Sequence, residues 1–477
     1  MLFNSFDFAI FLPIVFLLYW LVFNRNVTIR NLFLLVVSYV FYGFWDWRFI
    51  PLIVISSITD YLIGWYMGKT DDKSRRKLLL IVSLVVNIGI LGFFKYYNFF
   101  IESFIDTFTL FGKSFSYTPL NIILPVGISF YTFQTLSYTI DIYYKKIEPT
   151  KQIINFFAFV GFFPQLVAGP IERAKNFLPQ FDNIKKFDYQ DARSGLLLIT
   201  FGLFKKIVVA DRLALFVDSA YGDIASASGP VLFLALFFFA FQLYFDFSAY
   251  SDIAIGTARI FGFRLSINFK RPYLSSSFSE FWERWHVSLS TWFRDYLYIP
   301  LGGNRRGKIR TLINILIVFT LSGLWHGASW NFVVWGIINA LFIIVLDRWF
   351  GLAKSKGFQR IFATIFVFAC WALSLVFFRV PDMADVFTVF QKMGFGELTT
   401  LYQFGLSGTE IRLALYLLGG LMLFEIAMEH YGDYLQKWFY ARGVIFRWMV
   451  YLILILSIIF LGSYGTANDN SFIYFQF

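Results

Sequence analysis

Apolar runs recur along almost the whole sequence, and nothing else in it limits the fold as much. They fall near 8–23, 31–45, 49–67, 78–97, 120–143, 153–169, 195–210 and 230–247, then near 251–263, 311–326, 330–348, 360–378, 411–428 and 444–462. A hydrocarbon core needs about 20 apolar residues of helix at ordinary tilt. Several runs are shorter, so short or broken segments are expected to re-enter the membrane or line a cavity. Only 15% of the residues are charged, against about 25% in a soluble domain. The polar surface needed to cover a soluble core is missing. The expectation is an all-α polytopic membrane protein with about 11–14 transmembrane or re-entrant helices, in one integral-membrane domain over 1–477. The first run has no basic stretch before it and no small-residue cleavage site after it, so it is expected to stay as an anchor.

The net charge is +11, but the basic residues cluster in short loops between apolar runs. That pattern fits membrane lipids and the positive-inside rule, and no nucleic-acid partner is expected. The loop KTDDKSRRK at 69–77 holds five basic residues and two acids, and Arg25 and Arg30 mark an earlier basic loop. Both loops are therefore expected inside and the N-terminus outside. One cysteine, Cys370, excludes an intramolecular disulfide and a Cys-cluster metal site.

The stretch 266–310 breaks the rhythm and holds nothing long enough to span. Ser277 and Glu280 have capping-box spacing. Phe281, Trp282, Trp285, Leu289, Trp292, Phe293 and Tyr296 then share one helical arc, with Glu280, Glu283, Arg284, Thr291 and Arg294 opposite. This predicts an amphipathic helix at the membrane interface or at a cavity mouth. GGNRRGKI at 302–309 matches the spacing of a P-loop, but Ile309 stands where Ser or Thr must hold magnesium. It reads as a basic interfacial loop.

The chain has three histidines. His326 lies in SGLWHGASWNFVVWG, fenced by tryptophans and glycines. Gly323 and Gly327 are four apart, which lets a neighbouring helix approach closely. Ser322, Ser329 and Trp330 fall within a helical turn of the ring. A buried neutral imidazole can take a proton from an attacking hydroxyl, as acyl transfer requires. It can equally be a hydrogen-bonded histidine joining two helices. Intramembrane ionisable residues favour function, and burial alone favours the joint. His286 sits at the edge of the aromatic arc, near Glu283 and Ser290, as a second candidate or an interfacial side chain. His430 reads as surface. No tight ligand spacing supports a metal, and none is expected. No G-x-S-x-G elbow or Cys-His pair is present, so a nucleophile would belong to a substrate or partner. Asp246 and Asp252 read as interhelical hydrogen-bonding groups or as a polar tunnel wall. FFPQLVAGPIER at 162–173 predicts a broken helix.

Taken in order, these segments resemble the membrane-bound O-acyltransferase superfamily, and within it the alginate O-acetylation branch. The likeness runs from FYGFWDWRFIPLIVISSITDYLIG through GISFYTFQTLSYTIDIYY, FFPQLVAGPIER and YFDFSAYSDIAIGTARIFGF. It continues through NFKRPYLSSSFSEFWERWHVSLSTWFRDYLYIPLGGNR and SGLWHGASWNFVVWG to the terminal FIYFQF, with a motif core over about 120–348. The resemblance implies a ring of helices with funnels meeting near the membrane centre at the histidine of the W-H-G motif, here His326. It implies that the family's second histidine is His286. It further implies an acyl thioester donor, acetyl-CoA, on the cytoplasmic side of the inner membrane, and no bound cofactor. An extracytoplasmic SGNH-type partner would complete transfer to a cell-surface polysaccharide. Trp325 and Asn331 are expected to contact substrate. D-alanyl or another acyl cargo on the same scaffold is the alternative, followed by a transporter without chemistry.

Overall fold

The computed structural model describes the chain apart from residues 113–116, 349–350, 353–354, 395, 465–471 and 474–477. Of the terminal FIYFQF, Phe472 and Ile473 are described, and the rest lies outside the described residues. Among the described residues every regular element is a helix. Two compact units divide the chain. The first holds 1–195, 254–266 and 327–329, and the second holds 196–253, 267–326 and 330–477.

The first unit carries α1 (Phe6–Leu18), α2 (Val27–Asp46), α3 (Ile50–Gly68), α4 (Lys73–Leu91), α5 (Tyr97–Leu110), α6 (Ile128–Tyr143), α7 (Ile153–Gly161) and the single turn α8 (Ala174–Phe177). Caps place the helix starts. Asn26 accepts from Thr28 N and Ile29 N, and Asp72 accepts from Ser74 N. The run 120–143 becomes helical only at Ile128. Gly127 sits there at φ 76°, pressed on the Leu166 carbonyl, where a Cβ would stand 2.6 Å from the oxygen. α7 stops at Gly161, and the predicted break over 162–173 is irregular and mostly buried. A carbonyl in the last turn of α7 is met by two side-chain amides, as backbone away from water requires. Gln165 Nε2 and Gln134 Nε2 both donate to the Phe159 carbonyl, at 2.9 and 2.8 Å.

Helices α9 (Tyr189–Leu203), α10 (Asp211–Gly222), α11 (Gly229–Ile260), α12 (Phe278–Arg284) and α13 (Val287–Phe293) follow. Next come α14 (Lys308–His326), α15 (Trp330–Leu341), α16 (Phe358–Arg379), α17 (Met383–Lys392), α18 (Gly408–Ala441) and α19 (Val444–Leu461). The runs 230–247 and 251–263, read as two spans, are one continuous helix of 32 residues, α11. The polar residues around the junction do not interrupt it, because they are paired. Lys206 Nζ lies 2.7 Å from Asp246 and 2.8 Å from Asp211, and Lys205 Nζ lies 2.6 Å from Asp252. Asp246 also accepts from the Ile473 amide at 2.8 Å. The two aspartates therefore serve packing in this unit.

Nine helical segments among the described residues are long and apolar enough to cross a membrane, and two of them, 27–68 and 73–110, each hold a pair of helices. The chain is thus an all-α, multi-pass integral membrane protein. The expected amphipathic helix over 277–296 is not continuous. It is α12 and α13, split at Trp285 and His286. Only half of the expected capping box forms. Ser277 Oγ accepts from Glu280 N at 3.2 Å, while the Glu280 carboxylate turns back to Ser276 N at 2.9 Å.

Candidate active site

α14 and α15 form the frame. Gly323 on α14 faces Gly336 on α15, with 3.2 Å between a Cβ built on the first and the Cα of the second. That Cβ would overlap the Phe332 carbonyl oxygen, and one on Gly336 would overlap the Phe319 carbonyl oxygen. Backbone therefore meets backbone, which only glycine permits. The close approach predicted from Gly323 and Gly327 is made by Gly323 and Gly336. Gly327 instead follows the last residue of α14, and the three residues 327–329 separate the two helices. Ser329 and Trp330 are therefore not on the helix of His326, contrary to their expected turn spacing.

His326 ends α14, buried to 4% exposure among aromatic rings. Its ring centroid lies 5.0 Å from Trp325, 5.3 Å from Trp335 and 5.6 Å from Phe378, each near edge-on. Trp335 and Phe378 belong to α15 and α16. Trp325 and Trp335 are walls, whereas Trp330 is 59% exposed and takes no part in enclosing the ring. Asn331 spends its amide hydrogens on the carbonyls of Val380 at 2.6 Å and Pro381 at 2.9 Å. It ties the start of α15 to the end of α16, where Phe378 sits.

His286 reaches the same place by a different route. It caps α13 in the left-handed region, at φ 43° and ψ 53°, which costs an L residue about 1–2 kcal/mol. Backbone pairing on both sides holds the turn: Lys270 N to Arg284 O and Val287 N to Asn268 O, both 2.9 Å. The left-handed turn moves the ring off the helical arc and into full burial. Its Nδ1 lies 3.1 Å from Asn268 Oδ1. The same oxygen accepts from Ser288 N at 3.2 Å and Ser288 Oγ at 2.9 Å. An amide oxygen only accepts, so Nδ1 carries the hydrogen and Nε2 keeps the lone pair. Burial pushes the pKa of this ring down to about 3, so it is neutral at physiological pH. Phe247 stands edge-on to it at 4.7 Å, and Trp325 lies 5.9 Å away.

The indole of Trp325 thus touches both histidines, 5.0 Å from one and 5.9 Å from the other. The structure brings His326, His286 and Trp325 together in one apolar cage and sets Asn331 behind its wall. Glu283 is exposed and does not join the buried His286. Among the described residues no three His, Cys, Asp or Glu side chains group as metal ligands. His430 is exposed, as read from the sequence.

Sequence reasoning missed Asn268, Phe247 and Phe378. Asn268 carried one available signal, as a lone amide in an aromatic stretch. Such groups are buried only when fully hydrogen-bonded.

Residues 44–380 match the description "MBOAT, membrane-bound O-acyltransferase family". The chain is 37% identical over 427 residues to the "Probable alginate O-acetylase AlgI" of Pseudomonas aeruginosa, covering 89% of this chain and 79% of that one. It is 35% identical over 425 residues to the "Peptidoglycan O-acetyltransferase" of Helicobacter pylori, covering 82% and 80%. A more distant match, 27% over 252 residues, is the "Teichoic acid D-alanyltransferase" of Streptococcus thermophilus, covering 49% and 59%.

Proposed function

Because the chain belongs to the membrane-bound O-acyltransferase family, we propose that this O-acyltransferase moves an acetyl group from cytoplasmic acetyl-CoA toward a polysaccharide outside the inner membrane, with His326 as the base. The observation that carries this reading is the pair of buried histidines flanking Trp325. The names of the relatives supply the acyl group and the class of acceptor.

In the proposed reaction His326 removes the proton from an acceptor hydroxyl. The hydroxyl oxygen attacks the thioester carbonyl carbon, the carbon–sulfur bond breaks, and the departing thiolate takes the proton back from the imidazolium. The ester and a free thiol remain. General-base assistance of this kind contributes about 10²–10⁴-fold. The neutral His286 offers Nε2 to orient the acyl group or accept a hydrogen bond from the acceptor, with Nδ1 fixed by Asn268. Trp325, Trp335 and Phe378 keep water from the thioester, which would otherwise be hydrolysed. The acceptor hydroxyl belongs to a sugar or to a serine of an SGNH-type partner that finishes the transfer outside.

The test is His326→Ala at matched expression, reading base-labile acetate on surface polysaccharide. Acetate is expected to fall at least about a hundredfold. Unchanged acetate overturns the role of His326. D-alanyl transfer is the second reading, favoured only by the shorter match to the teichoic acid enzyme. Membranes given labelled acetyl-CoA or a labelled D-alanyl carrier thioester distinguish the two by which label reaches polymer.

A further inference from the structure

Midway along α3, in SSITD, Asp60 is wholly buried within a segment long and apolar enough to cross a membrane. Its carboxyl faces α4 and α6. Oδ1 is 2.5 Å from Ser83 Oγ, and Oδ2 is 2.9 Å from Asn87 Nδ2. Ser83 Oγ continues to Thr139 Oγ1 at 3.0 Å, and Thr139 Oγ1 to the Thr135 carbonyl at 3.1 Å. Asn87 Nδ2 also donates to the Ser83 carbonyl at 3.0 Å, and Asn87 Oδ1 accepts from Ser56 Oγ at 2.6 Å. Asp60 pairs with no basic side chain among the described residues.

Ser83 Oγ donates to Oδ1 and Asn87 Nδ2 to Oδ2, and these neutral donors bring no positive charge to the carboxyl. An ionised carboxylate here would be a buried charge without a counter-ion, which is costly at membrane depth.

We infer that Asp60 is a proton-binding site inside the α3–α4–α6 bundle. The proton is favoured over an alkali ion because a hard cation needs converging oxygens, and Asn87 turns its amide nitrogen to the carboxyl. The charged groups of the surrounding helices are engaged elsewhere. Arg76 donates to the carbonyls of Met67 at 2.5 Å and Ile142 at 2.6 Å. Asp141 faces Lys146 at 3.4 Å, and Tyr138 OH accepts from Thr150 N at 3.1 Å. Lys73, Arg75 and Lys77 are exposed in the first turns of α4, and α7 carries no charge.

Infrared spectroscopy of the full chain in lipid nanodiscs tests this directly. At about pH 7, far above the ordinary carboxyl range near about 4, the protein is expected to show a protonated-carboxyl carbonyl band that Asp60→Asn removes. Ser83→Ala takes away the hydrogen bond to Oδ1 and is expected to shift that band to higher frequency. A spectrum unchanged in Asp60→Asn overturns the inference. So does sodium, exchanged for choline, raising the Tm of the wild type and not of Asp60→Asn. Should Asp60→Asn fail to fold, the Ser83→Ala spectrum decides alone: a shift supports the proton site and no shift overturns it.

Discussion

His326 and His286 are both buried and both touch Trp325, yet the backbone delivers them in opposite ways. His326 stands on a regular helix, and its place depends on the fit of α14 against α15 at two glycines. His286 stands on a left-handed turn, and its place depends on one amide, Asn268, that holds the ring and the next helix start together. One histidine is positioned by packing between helices, the other by a strained residue with a hydrogen-bonded support. Strain of this sort persists only where the surroundings fix it.

Substitutions can break each arrangement separately. The largest effect after loss of His326 itself is expected at Gly323. Gly323→Val drives a side chain into the Phe332 carbonyl. It should cost about 3 kcal/mol or prevent accumulation, read as Tm in detergent. A Gly323→Val protein with wild-type Tm would show that the hairpin does not set the position of His326. Next comes Asn268→Ala, which leaves three buried donors without their acceptor. A loss of about 1–3 kcal/mol is expected, with transfer activity falling more than for Asn331→Ala.

Smaller still is the difference between two replacements of His286. Both Gly and Ala remove the ring, but only Gly relaxes at φ 43°. His286→Gly is expected to be more stable than His286→Ala by about 1 kcal/mol in chemical or thermal unfolding. Equal stabilities would mean that the turn carries no strain.

The smallest effect concerns pH. His286 titrates near about 3 when folded and near 6.5 when exposed. The unfolded chain therefore binds the extra proton first as pH falls. The stability from this group is full above about pH 6.5 and is lost on acidification toward pH 3. Between pH 7 and pH 6 the loss is about 0.7 kcal/mol, and His286→Gln should remove it from the pH profile of Tm.

The all-α membrane class, the break over 162–173, the helix start at Ser277 and the burial of His326 were legible in the sequence. Each depends on local chemistry: run length, proline and glycine placement, a capping side chain. The split between α12 and α13 was not legible. A helical arc drawn through Phe281, Trp285 and Leu289 assumes every residue is helical, and His286 is held otherwise by tertiary hydrogen bonds. The partner of Gly323 was not legible, because sequence spacing finds glycines on one helix, whereas the partner, Gly336, lies on the next. α11 was cut in two at 248–250. It runs on because polar side chains near the cut are paired, Lys205 lying 2.9 Å from Ser248 and 2.6 Å from Asp252.

The glycine contact between α14 and α15 also bears on how such a site can change over time. Because main chain rests on main chain, the seat of His326 is set apart from the rings around it. Phe378 and Phe332, edge-on at 4.9 Å, can be exchanged for smaller or larger groups without unseating the His326 ring. A scaffold built this way can acquire a differently sized lining by drift alone, its histidine held constant by two side chains that are not there.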